Sequence, residues 1–244
     1  MPELPEVEVS ARVARRALES REVIDADLTP CKLFRLPRSR YLNGDATLPA
    51  GAKLLTEVDD LKEHLIGAQA YDVLTSRHGK LMAFHLLTQD QRALTIFSRL
   101  GMTGKYVRES IKSTSRSSAS RSSERSGVKL TLITRLISGQ RDKPERLVFI
   151  NTRMFGAVWG ICSEPLQDLQ RFDEVAQAQF AVELMSSEMG PDALDLAARP
   201  DAWIKRVRQS SPRRAIKTLL LDQKSIAGVG NIYAAEGIFN AQAH

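Results

Sequence analysis

An α+β fold is predicted by three features of the sequence. The chain opens with apolar residues at helical spacing, continues with short apolar runs bounded by Gly, Pro, Asn and Asp, and returns to helical spacing in its last third. Short runs of this kind are typical of a β-sandwich or barrel, not of alternating strands and helices. We therefore expect an N-terminal β-sandwich with a leading helix in residues 1–164 and a helical domain in residues 165–244.

The composition is that of a soluble globular protein. Of the 244 residues, 43% are hydrophobic and 26% are charged, and the formal net charge of +6 permits a polyanionic partner. Cys31 and Cys162 are far apart and form no CxxC pair, which argues against a zinc site or a disulfide framework and favours a reducing compartment. The sequence has no apolar run of about 18 residues, and its acidic start is not a signal peptide. We expect an intracellular protein with no membrane association.

The first helix is expected to run from Pro5 to about Ser20. Proline is tolerated in the first helical turn, where its missing N–H costs no hydrogen bond. The acidic residues that follow complement the positive end of the helix dipole. One face of this helix is apolar and is expected to be buried: Val7, Ala11, Ala14 and Leu18.

Short strands are expected after this helix. In chain order they are Val23–Leu28, Leu54–Leu61, Ala68–Ser76, Lys80–Leu87, Ala93–Leu100, Leu147–Ile150 and Gly156–Cys162. Residues 35–50 contain several turn formers and are interpreted as loop or short helix. The segment 108–129 is rich in Ser and basic residues and has too few apolar side chains to repay the entropy of ordering, so a flexible surface loop is expected there. Its charge would attract phosphates, but a solvated insertion is the simpler explanation.

Helices are expected from residue 164 onward. The predicted segments are Leu166–Phe172, Val175–Met185, Ala193–Ala198, Pro200–Gln209 and Ser211–Asp222. Ser211 is a suitable N-cap for the last of them, and Pro212 is a suitable first helical residue.

A glycine-containing turn follows the last predicted helix in the sequence KSIAGVGNIYAAE. Gly228 and Gly230 create the turn, and Asn231 is expected to cap the helix that begins there. Turn glycines before a helix N-terminus form a cradle of backbone N–H groups for an anion. A dinucleotide site is the rival interpretation, but no strand precedes the turn and the six-residue spacing of that fingerprint is absent.

A candidate nucleophile lies at the start, MPELPEVE. Removal of Met1 ahead of the small Pro2 would leave a chain terminus with a free secondary amine. An α-amino group has a pKa near ~8, so part of it is unprotonated at neutral pH and can attack carbon to form a Schiff base. Glu3 beside it could act as a general acid or base. Taken alone, a Met-Pro start is more often an ordinary beginning before a helix.

Two further segments carry candidate functional residues. Lys80 is expected at the entrance of a strand in SRHGKLMAFHL, and Met102 is expected to project from a bend between Gly101 and Gly104 in SRLGMTGKYV. Each residue also has a structural explanation when it is considered singly, as a strand-edge lysine or as a core methionine.

These segments, in this order, resemble the motifs of the formamidopyrimidine-DNA glycosylase and endonuclease VIII family. The opening MPELPEVE is closest to the formamidopyrimidine (8-oxoguanine) branch. SRLGMTG resembles that family's LGM(S/T)G motif, INTRMFG resembles its DPRRFG motif, and KSIAGVGNIYAAE resembles its helix–two-turn–helix signature.

The resemblance implies catalytic roles for four residues. Pro2 attacks the deoxyribose, and Glu3 donates a proton that assists in opening the sugar ring. Glu6 helps to organise the amine and the sugar. Lys80 holds a phosphate of the damaged strand and aids the elimination steps, a task that suits a flexible point charge with three donors.

The resemblance also implies the DNA contacts. Met102 enters the space vacated by the flipped nucleotide, Arg153 contacts the orphaned base, and Phe155 is the aromatic wedge that unstacks the duplex. The turn that contains Gly228 and Gly230 presents Asn231 to the phosphate flanking the lesion.

The sequence departs from the family pattern in two places. Asn151, Thr152 and Met154 stand where the DPRRFG motif has an acid, a proline and a second arginine. The chain stops at His244, whereas family members continue into further helices and usually a C-terminal zinc finger, so we expect a C-terminally truncated member without a metal or other cofactor.

The predicted function is a bifunctional base-excision-repair enzyme. It would remove oxidised purines, 8-oxoguanine and formamidopyrimidine, through a Schiff base on Pro2, and nick the strand by β,δ-elimination as an AP lyase. Its partner would be double-stranded DNA with oxidised bases or abasic sites, and we expect a monomer in the cytoplasm or nucleoid of a bacterium or in a eukaryotic nucleus. The alternatives are an endonuclease VIII-like glycosylase for oxidised pyrimidines, a non-catalytic damaged-DNA-binding protein and, as a weaker idea, an inactive scaffold fragment.

Overall fold

The computed structural model describes residues 4–28, 48–76, 81–101, 103–111, 128–137, 143–152, 156–186, 190–191, 193–198, 200–210 and 213–242. The strands are β1 (Arg21–Leu28), β2 (Lys53–Leu55), β3 (Gln69–Thr75), β4 (Leu81–Leu87), β5 (Arg92–Arg99), β6 (Lys105–Ser110), β7 (Val128–Leu136), β8 (Glu145–Ile150) and β9 (Ala157–Pro165). The helices are α1 (Leu4–Leu18), α2 (Val58–Leu65), α3 (Phe172–Ser186), α4 (Ala193–Ala198), α5 (Pro200–Ser210), α6 (Ile216–Leu221) and α7 (Asn231–Asn240), with a 3₁₀ turn at Leu169–Arg171.

The strands form one antiparallel sheet in the order β2-β9-β5-β4-β3-β1-β7-β8-β6. Its two halves are joined between β3 and β1 by a single residue pair, Glu22 with Gln69. Such a short junction allows the halves to fold over one another, and buried side chains of β1 and β7 share one core with those of β4, β5 and β9. Phe84 of β4 and Tyr106 of β6 have ring centroids 5.2 Å apart across this core. The predicted sandwich with an α+β fold is therefore confirmed.

Helix α1 buries the face that its sequence predicted. Val7, Ala11, Ala14 and Leu18 are all at most 1% exposed and belong to the main core. The helix packs against β3 and β6, so it covers both halves of the sandwich. It ends at Leu18, and Ser20 adopts a left-handed φ of 55°, which turns the chain into β1.

Two assignments in the first half of the sequence were wrong. The run Leu54–Leu61 was expected to be a single strand, but β2 ends at Leu55 and Val58–Leu65 is a helix. Leu61 and Leu65 recur one helical turn apart and are both buried, so helical periodicity outweighs the apolar run. The predicted loop 108–129 is too wide, because β6 extends to Ser110 and β7 starts at Val128. Residues 112–127 of that loop lie outside the described part of the chain.

Helix α3 packs on the sheet through a buried polar chain. Gln179 donates from Nε2 to the Ala93 carbonyl at 3.0 Å and accepts from Thr95 Oγ1 at 2.6 Å. Thr95 Oγ1 in turn lies 2.9 Å from His85 Nδ1. Since the hydroxyl proton of Thr95 is committed to Gln179, the proton between Thr95 and His85 belongs to Nδ1 of the imidazole. The boundary predicted at residues 164 and 165 precedes this helix.

Three predictions for the helical region differ from the structure. The expected helix Leu166–Phe172 is only the 3₁₀ turn Leu169–Arg171, which is followed by α3. The expected helix Ser211–Asp222 begins only at Ile216, with Ala215 as N-cap, and the predicted cap Ser211 and first residue Pro212 lie outside the described residues. Asn231 is the first residue of α7 and not its cap, since Gly230 occupies the N-cap position. Among the described residues, none of the helices has the length and apolarity needed to cross a membrane.

Candidate nucleic-acid interface

Four of the ten predicted site residues fall within the described part of the chain. These are Glu6, Gly228, Gly230 and Asn231. The other six lie outside it: Pro2, Glu3, Lys80, Met102, Arg153 and Phe155. Described residues on at least one side of each of these segments show which parts of the chain come together.

The N-terminal helix is tied to the hairpin that contains Lys80. Strands β3 and β4 form this hairpin, and the Ser76 amide donates to the Leu81 carbonyl at 2.9 Å across its base. Thr75, the last residue of β3, donates from Oγ1 to Glu8 Oε2 of α1 at 3.3 Å. Glu6 is exposed in the first turn of the same helix. The start of α1 and the base of the hairpin are therefore held side by side.

Glu8 is the centre of this connection. Its Oε1 accepts from Arg12 and from Arg15, each at 3.0 Å, and Arg15 Nε also donates to the Val73 carbonyl of β3 at 2.7 Å. Burial raises the pKa of the Glu8 carboxyl, but the hydrogen bonds from Arg12, Arg15 and Thr75 outweigh burial and hold that pKa below its usual range. Glu8 is therefore ionised at neutral pH and remains an acceptor for all three donors.

The bend predicted in SRLGMTG is present between β5 and β6. Gly101 has a φ of 67°, a conformation that L side chains rarely adopt. The Gly104 amide donates to the Leu100 carbonyl at 3.0 Å, and a Cβ at Gly104 would lie only 2.1 Å from that oxygen. Both glycines are thus required by the backbone of this turn.

The loop between β8 and β9 lies against this turn. Asn151 is fully buried, and its Nδ2 lies 3.4 Å from the Leu100 carbonyl, to which it donates. Thr103 donates from Oγ1 to Asn151 Oδ1 at 3.4 Å. Gly156 is in close contact with this group, because a Cβ there would lie 2.5 Å from Asn151 Nδ2. The described residues of the segments SRLGMTG and INTRMFG are therefore neighbours.

The glycine turn before α7 is organised by one side chain. Gln223 accepts from the Gly228 amide at Oε1 and donates from Nε2 to the Val229 carbonyl, at 3.1 and 2.9 Å. Gly228 has a φ of 89°, as a turn glycine should. Helix α7 has no side chain as N-cap, and Asn231 at its start is exposed. The first amides of α7 are consequently without side-chain acceptors from its N-cap residue, the arrangement in which a helix N-terminus binds anions.

Residues 190–191 form a second segment that contacts this turn. The Gly190 amide donates to the Gln223 carbonyl at 2.7 Å, and the Ala227 amide donates to the Pro191 carbonyl at 2.8 Å. A Cβ at Gly190 would lie 2.5 Å from the backbone of Ser225, so the two segments are in direct contact. Trp203 of α5 donates from Nε1 to the Ser225 carbonyl at 3.0 Å. The turn is therefore fixed on two sides.

Basic residues precede this turn in the sequence. Arg213, Lys217 and Lys224 are all exposed there. Arg214 donates to Asp222 at 2.9 Å, and this hydrogen bond lowers the pKa of the Asp222 carboxyl. Asp222, the only acid in the segment 213–224, is thus paired with Arg214, and this segment keeps a net positive charge.

Sequence reasoning missed three residues with clear positioning roles: Glu8, Asn151 and Gln223. Glu8 was interpreted only as a charge that complements the helix dipole, and Asn151 only as a departure from a motif. Gln223 carried no signal except its place directly before a glycine turn. Their partners are distant in sequence or depend on turn geometry, so the residue pattern alone could not identify them.

The described residues show no metal site. Among them, no group of three His, Cys, Asp or Glu side chains is close enough to hold an ion. Cys162 is buried in β9, and this burial raises the pKa of its thiol to about 11, which disfavours the thiolate form that binds metals.

Comparison with known proteins agrees with this geometry. Residues 1–158 match the formamidopyrimidine-DNA glycosylase N-terminal domain, and residues 189–244 match the formamidopyrimidine-DNA glycosylase H2TH domain. The chain is 28% identical to a formamidopyrimidine-DNA glycosylase of Desulforamulus reducens and 30% identical to one of Listeria innocua. Each alignment covers 100% of this chain and 68% of the relative.

A solved structure has the same fold. The Lactococcus lactis formamidopyrimidine DNA glycosylase, bound non-covalently to DNA containing an AP site, superimposes with a TM-score of 0.59 at 23% identity, over 100% of this chain and 71% of that one. Since the N-terminal domain match alone spans more than half of the sequence, the chain belongs to the formamidopyrimidine-DNA glycosylase family.

Proposed function

We propose that this protein is a DNA glycosylase and AP lyase that removes oxidised purines from duplex DNA. The observation that carries the proposal is the Glu8–Thr75 hydrogen bond, which holds the start of α1 beside the hairpin of Lys80. A lyase of this kind needs an amine nucleophile and a cation for the strand phosphate at one site, and this contact supports the proposal because it joins the two segments in which Pro2 and Lys80 would supply them.

The proposed reaction starts at the terminal amine. After removal of Met1, the nitrogen of Pro2 forms a bond to C1′ of the damaged nucleoside while the bond from C1′ to the base breaks, and the base leaves with the proton that this nitrogen loses. Glu3 donates a proton to the sugar ring oxygen, the ring opens, and an iminium remains between Pro2 and C1′. Loss of a C2′ proton then expels the 3′ phosphate, and a second elimination expels the 5′ phosphate. Hydrolysis of the iminium returns the free amine, so the sequence of steps needs no metal and no redox cofactor.

The proposed DNA contacts come from both parts of the chain. Asn231 and the amides at the start of α7 would bind a phosphate beside the lesion. The exposed basic side chains of the preceding segment, Arg213, Lys217 and Lys224, would add sequence-independent attraction to the DNA backbone. Met102, Arg153 and Phe155 would fill the gap left by the extruded nucleotide, because unstacking a base requires an apolar or planar filler.

The test is borohydride trapping on a duplex oligonucleotide with a single 8-oxoguanine. Borohydride reduces the iminium and leaves the protein covalently attached to the strand. We expect an adduct with the parent chain, none with Pro2→Gly, and a strong reduction with Glu3→Gln. Glu19→Gln, an exposed acid just beyond the other end of α1, is the matched control and should trap as well as the parent.

The outcome also discriminates between the alternatives. Trapping on duplexes with oxidised pyrimidines but not with 8-oxoguanine would assign the endonuclease VIII-like specificity. Binding to damaged duplex without any adduct, on lesion or abasic DNA, would leave a non-catalytic binding protein. Mass spectrometry of the purified chain must find Met1 removed, since a retained Met1 blocks the amine.

A further inference from the structure

Two loops of the sandwich leave the sheet side by side. One connects β5 to β6 through residues 100–104, and the other connects β8 to β9 through residues 151–156. Strand β5 pairs with β9 and β6 pairs with β8, so each loop crosses from one half of the sandwich to the other next to its neighbour. Arg99 pairs with Ala157 at one end of the crossing, and Lys105 pairs with Ile150 at the other.

The contact between the loops is a chain of hydrogen bonds centred on Asn151. Its Nδ2 donates to the Leu100 carbonyl and its Oδ1 accepts from Thr103 Oγ1, each at 3.4 Å. Thr152 Oγ1 donates to Thr103 Oγ1 at 3.3 Å. Both Nδ2 and Oδ1 of Asn151 therefore contact the β5–β6 loop, and the Thr152 hydroxyl adds a third hydrogen bond between the two loops.

An amide fits this position better than a carboxylate. Asn151 is fully buried, and its Nδ2 donates to the Leu100 carbonyl; an ionised acid would place an acceptor against that carbonyl and put a charge in a buried position. Gly156 provides the space, because a Cβ there would lie 2.5 Å from both Asn151 Nδ2 and the Arg99 carbonyl. The asparagine that departs from the family motif thus has its own structural basis in this chain.

We propose that Asn151 is a positioning residue that joins the two loops into one unit, so that Met102 and the segment 153–155 enter the DNA together. This inference rests on the proposed glycosylase function. A connection that already holds Leu100 and Thr103 against residues 151 and 152 lowers the conformational entropy that is lost on insertion. This smaller entropy cost should speed extrusion of an intact base, which has to be unstacked. It should have less effect on an abasic site, where no base has to be removed from the stack.

The first experiment compares two substrates. Asn151→Asp removes the donor to Leu100, and Thr103→Val removes the hydroxyl while it keeps the side chain branched. For each, we expect single-turnover trapping on an 8-oxoguanine duplex to fall on the order of tenfold, the equivalent of one lost hydrogen bond, with trapping on an abasic duplex within about twofold of the parent. Thr103→Ser keeps the hydroxyl, so the ratio of its trapping rates on the 8-oxoguanine and abasic duplexes should equal that of the parent.

Equal losses on both substrates, or no loss on either, would overturn the proposal. Equal losses would mean that the side chain supports the fold or the chemistry and does not position the loops for extrusion. If the parent traps neither substrate, the proposed function fails, and the loop coupling is decided by the second experiment.

The second experiment measures amide hydrogen exchange without DNA. In the joined arrangement, Asn151→Asp should accelerate exchange of the Gly104 amide, which donates to the same Leu100 carbonyl as Asn151 does. Thr103→Val should in turn accelerate exchange at residues 151 and 152. Acceleration that stays within the substituted loop would show that the two loops move separately and would refute the coupling.

Discussion

Gln223 accepts the Gly228 amide at Oε1 and donates from Nε2 to the Val229 carbonyl, so one side chain closes the turn that precedes α7. This turn presents Asn231 and the first amides of the helix to solvent. The backbone geometry at the start of α7 therefore depends on a side chain that lies outside this helix.

Replacing Gln223 with Met should weaken DNA binding. The variant keeps the side-chain length but loses both hydrogen bonds, which leaves the phosphate-binding amides less well ordered. We expect the Kd for an abasic duplex to rise on the order of tenfold, as measured by fluorescence anisotropy at fixed salt. Gln177→Met, on an exposed position of α3, is the matched control and should bind like the parent. Equal affinity of Gln223→Met and the parent would show that the Gln223 hydrogen bonds do not order the phosphate-binding amides.

Replacing Glu8 with Gln should slow the chemistry on every substrate. The neutral amide is a weaker acceptor for Arg12, Arg15 and Thr75, so the connection between the start of α1 and the hairpin of Lys80 is weakened. We expect trapping on 8-oxoguanine and abasic duplexes to fall in parallel by several-fold. This parallel loss distinguishes Glu8 from Asn151, which acts on extrusion only.

Arg12→Gln is the control for that experiment. The Arg12 side chain is 68% exposed, and an exposed ion pair contributes little free energy. The variant should trap at close to the parent's rate. A loss as large as that of Glu8→Gln would assign the effect to the local charge of α1 and not to the Thr75 contact.

The stability of the protein should fall as the pH drops below about 6.5, the usual pKa of histidine. Burial lowers the pKa of His85 in the folded state, although Asp72 and Asp173 partly oppose this effect. The unfolded state therefore takes up a proton near its ordinary pKa while the folded state does not, and the free energy of unfolding decreases toward acid. His85→Leu should show a weaker decrease between pH 7.5 and 5.5 in denaturant melts, and an unchanged slope would exclude His85 as its source.

Two glycine substitutions should have opposite effects on stability. Gly237 lies in the middle of α7 with no atom within 4 Å of a built Cβ, so Gly237→Ala should stabilise the fold by about 0.5–1 kcal/mol. Gly190→Ala should destabilise it, because the new Cβ would lie 2.5 Å from the backbone of Ser225. Thermal unfolding of both variants beside the parent checks the pair, and destabilisation by Gly237→Ala would mean that α7 packs differently.

Sequence patterns predicted the elements whose stabilising contacts are local. The buried face of α1 followed from the spacing of Val7, Ala11, Ala14 and Leu18, and most strands followed from apolar runs between turn residues. The pattern was wrong where two tendencies competed. Leu61 suited both a strand and a helix. The start of β7 at Val128 was included in the predicted loop, because the Ser- and Arg-rich segment before it dominated the local composition.

The sequence by itself therefore determined the α+β class, the family and the segments that carry candidate chemistry, because periodicity and motif spacing are properties of the chain. Only the tertiary structure decided which segments meet. Glu8 contacts Thr75 across 67 positions, and Asn151 contacts Leu100 across 51. Such pairs are fixed by strand order and by the folding of one half of the sheet over the other, and strand order is not written in the local pattern of residues.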